Sequence, residues 1–283
     1  MYPILLELGP IKIGSYGVTL AIAFLSAFFL INWQFRKNNC DVELAWDLHF
    51  LAIFGGMTGS RLLFIFENFS DFLKNPLAMI FSTTGFSVLG GYVLAIILCV
   101  FRVLYARQPF FRIADIYVPG MALGYAIGRL GCIFAGDGCY GIPCTYPWAM
   151  KFPNGLVSTL AAKNPMLVSL WIKMFPGTAI PEDIPVHPTP LYESVSCFML
   201  LGILLLPIWK PGSGRRFSFF LVWFGISRYL VESIRLNPRV YWGMSSSQVI
   251  SLVFIALGVM IAGASHWRKL DHDVAESDHR DNK

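Results

Sequence analysis

Residues 113–134 read IADIYVPGMALGYAIGRLGCIF, and this stretch decides the fold. A helix needs about 20 predominantly apolar residues to cross ~30 Å of hydrocarbon, and this run is long enough. Comparable stretches lie at roughly 15–32, 44–66, 86–105, 191–209, 217–234 and 248–267. Only helices or closed barrels satisfy backbone polar groups inside lipid. These runs are too long, and alternate too poorly, for barrel strands. The expectation is an all-α polytopic membrane protein with about seven transmembrane helices.

Composition agrees. The chain has 283 residues, of which 55% are hydrophobic and 14% charged. A soluble domain carries about a quarter charged residues. Mean hydropathy is +0.59. The net charge of +5 is concentrated at segment ends and forms no basic stripe, so no nucleic-acid partner is expected. The start of the chain lacks a basic region and a small-residue cleavage site, so it does not resemble a cleavable signal peptide.

Basic residues fall on two sides of the expected spans. One side collects Arg36, Lys37, Arg102, Arg107, Arg112, Lys210, Arg215, Arg216, Arg268 and Lys269. The opposite side has Lys12, Lys74, Arg235, Arg239 and a long loop with Lys151, Lys163 and Lys173. The positive-inside rule makes the first side cytoplasmic. The N-terminus is then external and the C-terminus cytoplasmic. Residues 1–270 form the membrane domain, residues 135–189 a large external loop region, and residues 271–283 a charged cytoplasmic tail, solvated or disordered. The loop is either an interfacial segment or a lid over a site; its aromatic residues suit the headgroup zone.

Arg61, Arg129 and Arg228 fall inside expected spans. An arginine near a helix centre costs ~2.5–3.5 kcal/mol on insertion scales, so it faces the bundle interior, a partner charge or a polar ligand. Glu232 follows Arg228 at i+4 and shares its helix face. No acid lies within one turn of Arg61 or Arg129. Guanidinium forks match phosphate, so converging arginines point to an anionic phospholipid headgroup; helix capping or snorkelling is the structural alternative. Gly120, Gly124, Gly128 and Gly131 have small-xxx-small character and suit close helix packing. Gly128 and Gly131 also flank Arg129, where bare backbone would admit a ligand. Packing is favoured for Gly55, Gly56, Gly59, Gly90 and Gly91.

Cys139 and Cys144 both fall in the loop, where a disulfide is permitted. No histidine lies near them to complete a zinc site. Cys132, three residues after Arg129, is a wall residue or a nucleophile activated by the guanidinium. His187 opens the run HPTPLYE, whose prolines fix an extended entry into the fifth span and place Tyr192 and Glu193 in its first turn.

With these motifs in order, the sequence resembles the bacterial prolipoprotein diacylglyceryl transferase family over nearly the whole chain. Leu8-Gly9-Pro10-Ile11 with Tyr16-Gly17 resembles the family's opening, and Ser87–Gly91 its glycine pair. Gly128-Arg129-Leu130-Gly131 with Gly136-Asp137 and Gly141 resembles its signature. His187-Pro188 with Leu191-Tyr192-Glu193 resembles the motif before its fifth span, and Arg228, Glu232 and Arg235 its sixth-span charged set.

The resemblance implies transfer of a diacylglyceryl group from phosphatidylglycerol to the lipobox cysteine of a prolipoprotein signal peptide. A thioether forms and glycerol phosphate leaves, with no cofactor or metal, in the bacterial inner membrane. It implies catalytic roles for Arg129, Arg228, Glu232 and Asp137. Substrate contacts fall to Arg129, Tyr16, Gly90, Gly91, Cys132, His187 and Arg235. Either Asp137 or Glu232 would accept the thiol proton. The chain departs from the family pattern where Leu89 replaces a histidine, Cys132 an asparagine, Asp137 a glutamate and Phe224 a frequent tyrosine. One extra residue lies between Asp137 and Gly141. A lipid-binding or lipid-transporting protein of the same fold is the alternative; covalent product would distinguish the two.

Overall fold

The computed structural model describes residues 2–8, 11–81 and 87–281. Gly9 and Pro10 of the opening motif and residue 86 at the start of the third stretch lie outside the described residues. The chain opens with an antiparallel hairpin, β1 (Ile4–Leu8) and β2 (Ile11–Gly14), pairing Leu8 with Ile11 and Glu7 with Lys12. The hydropathy reading did not anticipate this hairpin, because its strands are too short to register as a span. Ten helices follow among the described residues: α1 (Ser15–Lys37), α2 (Val42–Glu67), α3 (Phe69–Lys74), α4 (Pro76–Phe81), α5 (Val88–Tyr105), α6 (Phe110–Ala135), α7 (Pro165–Met174), α8 (Thr189–Leu204), α9 (Arg215–Ser233) and α10 (Ser246–Asp281).

Each of the seven expected stretches overlaps one of α1, α2, α5, α6, α8, α9 and α10. Four described segments are long and apolar enough to cross a membrane: Ser15–Lys37, Val42–Glu67, Phe110–Ala135 and Ser246–Ala264. The apolar parts of α5 and α8, Leu89–Tyr105 and Thr189–Leu204, are shorter. The protein is thus a mostly helical, multi-pass membrane protein. The fifth stretch ends five residues before the expected 209, since α8 stops at Leu204 and Leu205 caps it. Pro207 explains the early stop, because a proline removes a helix donor and disfavours α geometry in the residue before it. Arg216, expected at the cytoplasmic flank, is buried and donates from Nη2 to the Leu204 carbonyl. That carbonyl belongs to the last turn of α8, which has no helical donor of its own.

The chain divides into two compact units, Met1–Ala27 with Val118–Lys283, and Phe28–Tyr117. In the second, α2 and α5 cross at glycines. A Cβ on Gly59 would collide with the Gly90 carbonyl oxygen, and one on Gly55 would meet Ala95 Cα at 2.8 Å. A Cβ on Gly91 would collide with Ser60 Oγ. The packing reading holds for Gly55, Gly59, Gly90 and Gly91, where small residues let backbones approach and lipid offers no hydrophobic drive, whereas a Cβ on Gly56 would meet nothing within 4 Å. Arg102 closes the same unit through Asp47 Oδ2, at 2.6 Å from Nη2.

In the first unit, Val118, Ala122, Leu200, Leu204, Phe220 and Leu221 form a core shared by α6, α8 and α9. Ser194 Oγ donates to the Ala126 carbonyl at 2.9 Å and ties α8 to α6. Ser218 Oγ donates to the Gly258 carbonyl at 2.7 Å and ties α9 to α10. Gly124 faces α1, where a Cβ added to it would meet the Ala27 Cβ at 3.2 Å, so packing accounts for this glycine. The segment between α6 and α8 has its own small core of Tyr140, Phe152, Leu167, Trp171, Ile184 and Val186. Its backbone joins the end of α9, with Ile142 N–H donating to the Ile234 carbonyl at 2.8 Å. Residues 135–189 are therefore a folded subdomain with one helix, α7, and not an open loop. At the other end, α10 continues as helix through the charged tail to Asp281.

Candidate active site

Three arginines and two glutamates from α6, α8, α9 and the turn after α9 converge. Arg129 Nε lies 2.8 Å from Glu193 Oε2. Arg228 Nη1 pairs closely with Glu193 Oε1. Arg228 Nη2 lies 3.0 Å from Glu232 Oε2, the expected i+4 pair. Arg235 approaches both acids, at 3.9 Å from Glu193 Oε2 and 4.0 Å from Glu232 Oε2. The Glu193 side chain is 2% exposed and that of Glu232 is 0% exposed. Neither carboxylate is left to water, so both must be held by charge. Three guanidiniums against two carboxylates leave one net positive charge, a surplus that favours an anion.

The local fold explains the convergence. Tyr125 precedes Arg129 by one helical turn. Its hydroxyl accepts from Arg129 Nη2 at 2.7 Å and donates to Glu193 Oε1 at 3.3 Å. The Arg129 guanidinium sits 4.8 Å from the Tyr125 ring centroid, a cation–π distance. Nε and Nη2 are thereby occupied, and Nη1 faces Cys132 Sγ at 4.0 Å. Gly128 has open space where a Cβ would lie. Phe224 packs edge-on against Tyr125, with centroids 4.8 Å apart. Tyr125, Glu193, Cys197, Phe224, Ser227 and Arg228 line a narrow crevice here. Glu232 is locked from the far side: Asn237 Nδ2 donates to Oε1 at 2.6 Å and Ser245 Oγ at 2.8 Å. Ser247 Oγ accepts from Arg228 Nη2 at 3.1 Å.

Sequence reasoning missed the centre of this cluster. Glu193 was expected in the first turn of the fifth span, facing the helix dipole. Instead α8 starts at Thr189, Glu193 lies one turn deeper, and its role is to join three arginines. Two signals were available. Glu193 closes the HPTPLYE motif, and Tyr125 lies at i−4 from Arg129 on one helix face.

On the Nη1 side of Arg129, α6 ends and the chain turns back on itself. Gly136 and Gly138 take φ of +59° and +83°, a region costly for other residues, and they bracket Asp137. Asp137 Oδ1 accepts the Cys139 N–H at 3.0 Å. Cys132 Sγ, Cys139 Sγ and an Asp137 carboxylate oxygen lie within 4.8 Å of one another. The Cys139 thiol is held below its usual range, chiefly by a hydrogen bond from Cys132, with Arg235 and Arg129 helping against burial. Tyr16 lies within electrostatic reach of Cys132, Asp137, Arg129 and Cys139, and its ring edge is 3.4 Å from a Cβ position on Gly131. All six cysteines are free, so Cys139 neighbours Cys132 and forms no disulfide with Cys144. Gly141 is confined: a Cβ there would meet the Ile234 carbonyl oxygen at 2.6 Å.

The remaining candidates make other contacts. His187 belongs to an aromatic group, its Nδ1 3.2 Å from the Tyr192 hydroxyl and its ring 5.6 Å from Tyr146. Burial pushes its pKa below the ordinary value. Gly90 and Gly91 lie at the α2–α5 crossing.

A family model described as prolipoprotein diacylglyceryl transferase matches residues 3–263. A phosphatidylglycerol–prolipoprotein diacylglyceryl transferase of Clostridium tetani is 30% identical over 275 residues, covering 95% of this chain and 100% of its own. One from Vibrio cholerae is 30% identical, covering 96% of this chain and 94% of its own. One from a Nostoc species is 27% identical, covering 91% and 87%.

Proposed function

The chain belongs to the prolipoprotein diacylglyceryl transferase family, and from that premise we propose how its buried charges transfer a diacylglyceryl group from phosphatidylglycerol to a prolipoprotein. It is a membrane-embedded transferase. One observation carries the reading: Arg129 and Arg228 reach the same buried carboxylate and leave a net positive charge beside a crevice.

Glu193 and Tyr125 fix Arg129 through Nε and Nη2, and its Nη1 edge receives the headgroup phosphate. The acceptor sulfur attacks the glyceryl carbon, the carbon–oxygen bond to phosphate breaks, and glycerol phosphate departs with the electron pair. Charge builds on the phosphate oxygens as that bond breaks. A fixed guanidinium in a dry site stabilises that charge without solvent reorganisation, a contribution of about 3–4 kcal/mol. Arg228, held by Glu193, Glu232 and Ser247, keeps the cluster positive and in register. Glu232 is a positioning residue, since Arg228, Arg235, Asn237 and Ser245 already occupy it. In this reading Asp137 takes the thiol proton, and Tyr16 contacts the headgroup. His187 sits with Tyr146, Trp148 and Tyr192, an aromatic group suited to a membrane interface.

The acceptor is the lipobox cysteine of a signal peptide entering from the bilayer. The site opens on the external side of the cytoplasmic membrane, with the N-terminus external and the C-terminus cytoplasmic. The test uses purified protein, phosphatidylglycerol vesicles and a lipobox peptide, with the diacylglyceryl adduct read by mass. A folded protein that binds the lipid yet forms no adduct would instead support the lipid-binding alternative.

A further inference from the structure

Cys132 and Cys139 set two free thiols side by side just after α6. We propose that this pair is an oxidative modification site: a hydroperoxide oxidises Cys139, Cys132 closes the product to a disulfide, and the crosslink switches transfer off. The effect on transfer rests on the transferase reading; the crosslink itself does not.

The two thiols differ in their surroundings. Cys132 projects from the last turn of α6 and is buried, whereas Cys139 is half-buried. The left-handed Gly136 and Gly138 fold the chain back so that the two sulfurs lie within 4.8 Å of one another. Arg129 Nη1 lies 4.0 Å from Cys132 Sγ, and the Cys132 thiol in turn donates to Cys139. That hydrogen bond is the main support for a Cys139 thiolate, and Arg235 and Arg129 add to it against burial. A partly accessible thiol among cations, with a second thiol in reach, is the arrangement that peroxide oxidises selectively. Cys144, in the same subdomain, is buried, and burial pushes its thiol up. It serves as the internal control.

With hydrogen peroxide as the oxidant the steps balance. The Cys139 thiolate attacks one peroxide oxygen, the oxygen–oxygen bond breaks, and hydroxide leaves with the electron pair. The Cys132 sulfur then attacks the sulfenic sulfur of Cys139. The sulfur–oxygen bond breaks, and the departing oxygen takes the Cys132 proton and leaves as water. The two thiols supply the two electrons that reduce the peroxide. A sulfur–sulfur bond is about 2.05 Å long, so closure draws Cys139 toward α6. The Cys139 amide, which orients Asp137 Oδ1 at 3.0 Å, moves with it. Thr189 Oγ1 holds the Cys139 carbonyl, and Val157 N–H holds the Gly136 carbonyl at 2.8 Å, so the turn has little other freedom. Asp137 is displaced, and Cys132 turns away from Arg129 Nη1. Misplacing a reacting group by about 1 Å costs on the order of 100-fold in rate.

The test is hydrogen peroxide titration of the purified full-length protein in detergent, followed by blocking of the remaining thiols and peptide mapping by mass. A single crosslink between Cys132 and Cys139 is expected. Transfer to a lipobox peptide is expected to fall roughly 100-fold and to recover with dithiothreitol. Cys144→Ser is expected to respond as the native protein does. Cys139→Ser is expected to keep, after peroxide, the activity it has before it. Cys132→Ser is expected to hold the Cys139 sulfenic acid, captured by dimedone. Folded native protein that forms no crosslink, or one through Cys144, overturns the site. A crosslink with undiminished transfer, or an equal loss in Cys139→Ser, overturns the switch and leaves the transferase intact. A crosslink in protein that transfers nothing even when reduced overturns the transferase reading instead and leaves the modification site standing.

Discussion

Arg129 Nε lies 2.8 Å from Glu193 Oε2, and the same carboxylate is held through its other oxygen by Arg228. One acid on α8 thus sets the positions of guanidiniums on α6 and α9. Removing that acid leaves three guanidiniums facing one carboxylate with almost no water. Glu193→Gln keeps the shape and deletes the charge. It is expected to lower stability by about 3 kcal/mol, the scale for breaking a buried ion pair, and to reduce transfer sharply. Thermal unfolding in detergent checks the first and adduct mass the second; a native unfolding midpoint would show that Glu193 does not organise the cluster.

Arg129→Ala should leave the protein folded, because Tyr125 can still satisfy Glu193, 3.3 Å from its hydroxyl. Transfer is expected to fall a few hundred-fold, the consequence of losing ~3–4 kcal/mol of charge stabilisation. Arg129→Lys should stay at least about tenfold below native, since an ammonium cannot bind Glu193, Tyr125 and a phosphate edge as a planar fork. Single-turnover assays of both variants distinguish lost chemistry from lost lipid affinity. Near-native turnover by folded Arg129→Ala would remove Arg129 from the reaction.

What was legible in the sequence depended on distance along the chain. Arg228 and Glu232 share a helix face at i+4, so their pairing could be read directly. Arg129 has its acid on α8, brought near by packing of Ala126 against Ser194, which no local pattern encodes. Helix existence followed from apolar run length, but the end of α8 followed from Pro207, and the strands of the hairpin β1–β2 are too short to register as a span. The cysteines show the same limit. A disulfide between Cys139 and Cys144 was permitted within one loop, whereas the turn at Gly136 and Gly138 returns Cys139 to Cys132.

The glycines separate into confined and open sites. Gly90→Ala would drive a methyl into the Gly59 carbonyl oxygen, and that backbone cannot move without parting α2 from α5. A loss of about 1–3 kcal/mol is expected, the range for overpacking, seen as lower thermal stability in detergent. Gly128→Ala meets nothing within 4 Å and should unfold like the native protein. If Gly90→Ala keeps native stability but loses lipid affinity, the glycine pair contacts substrate and its role is not packing.

Acid should loosen the subdomain between α6 and α8 through His187. Burial lowers its pKa from the ordinary 6.5, so the folded protein resists protonation that the unfolded chain accepts. Its contribution is fully present above about pH 6.5 and is lost as pH falls through the lowered folded value. Protonation would place an uncompensated charge against the rings of Tyr146 and Tyr192 and would replace the neutral contact at 3.2 Å with Tyr192. Carboxylates with ordinary values near 4 stay charged through this window. Unfolding midpoints between pH 7.5 and 5.5 should therefore fall for the native protein and fall less for His187→Gln. Parallel curves for the two would mean that the histidine does not set the acid limit, and that groups elsewhere in the chain do.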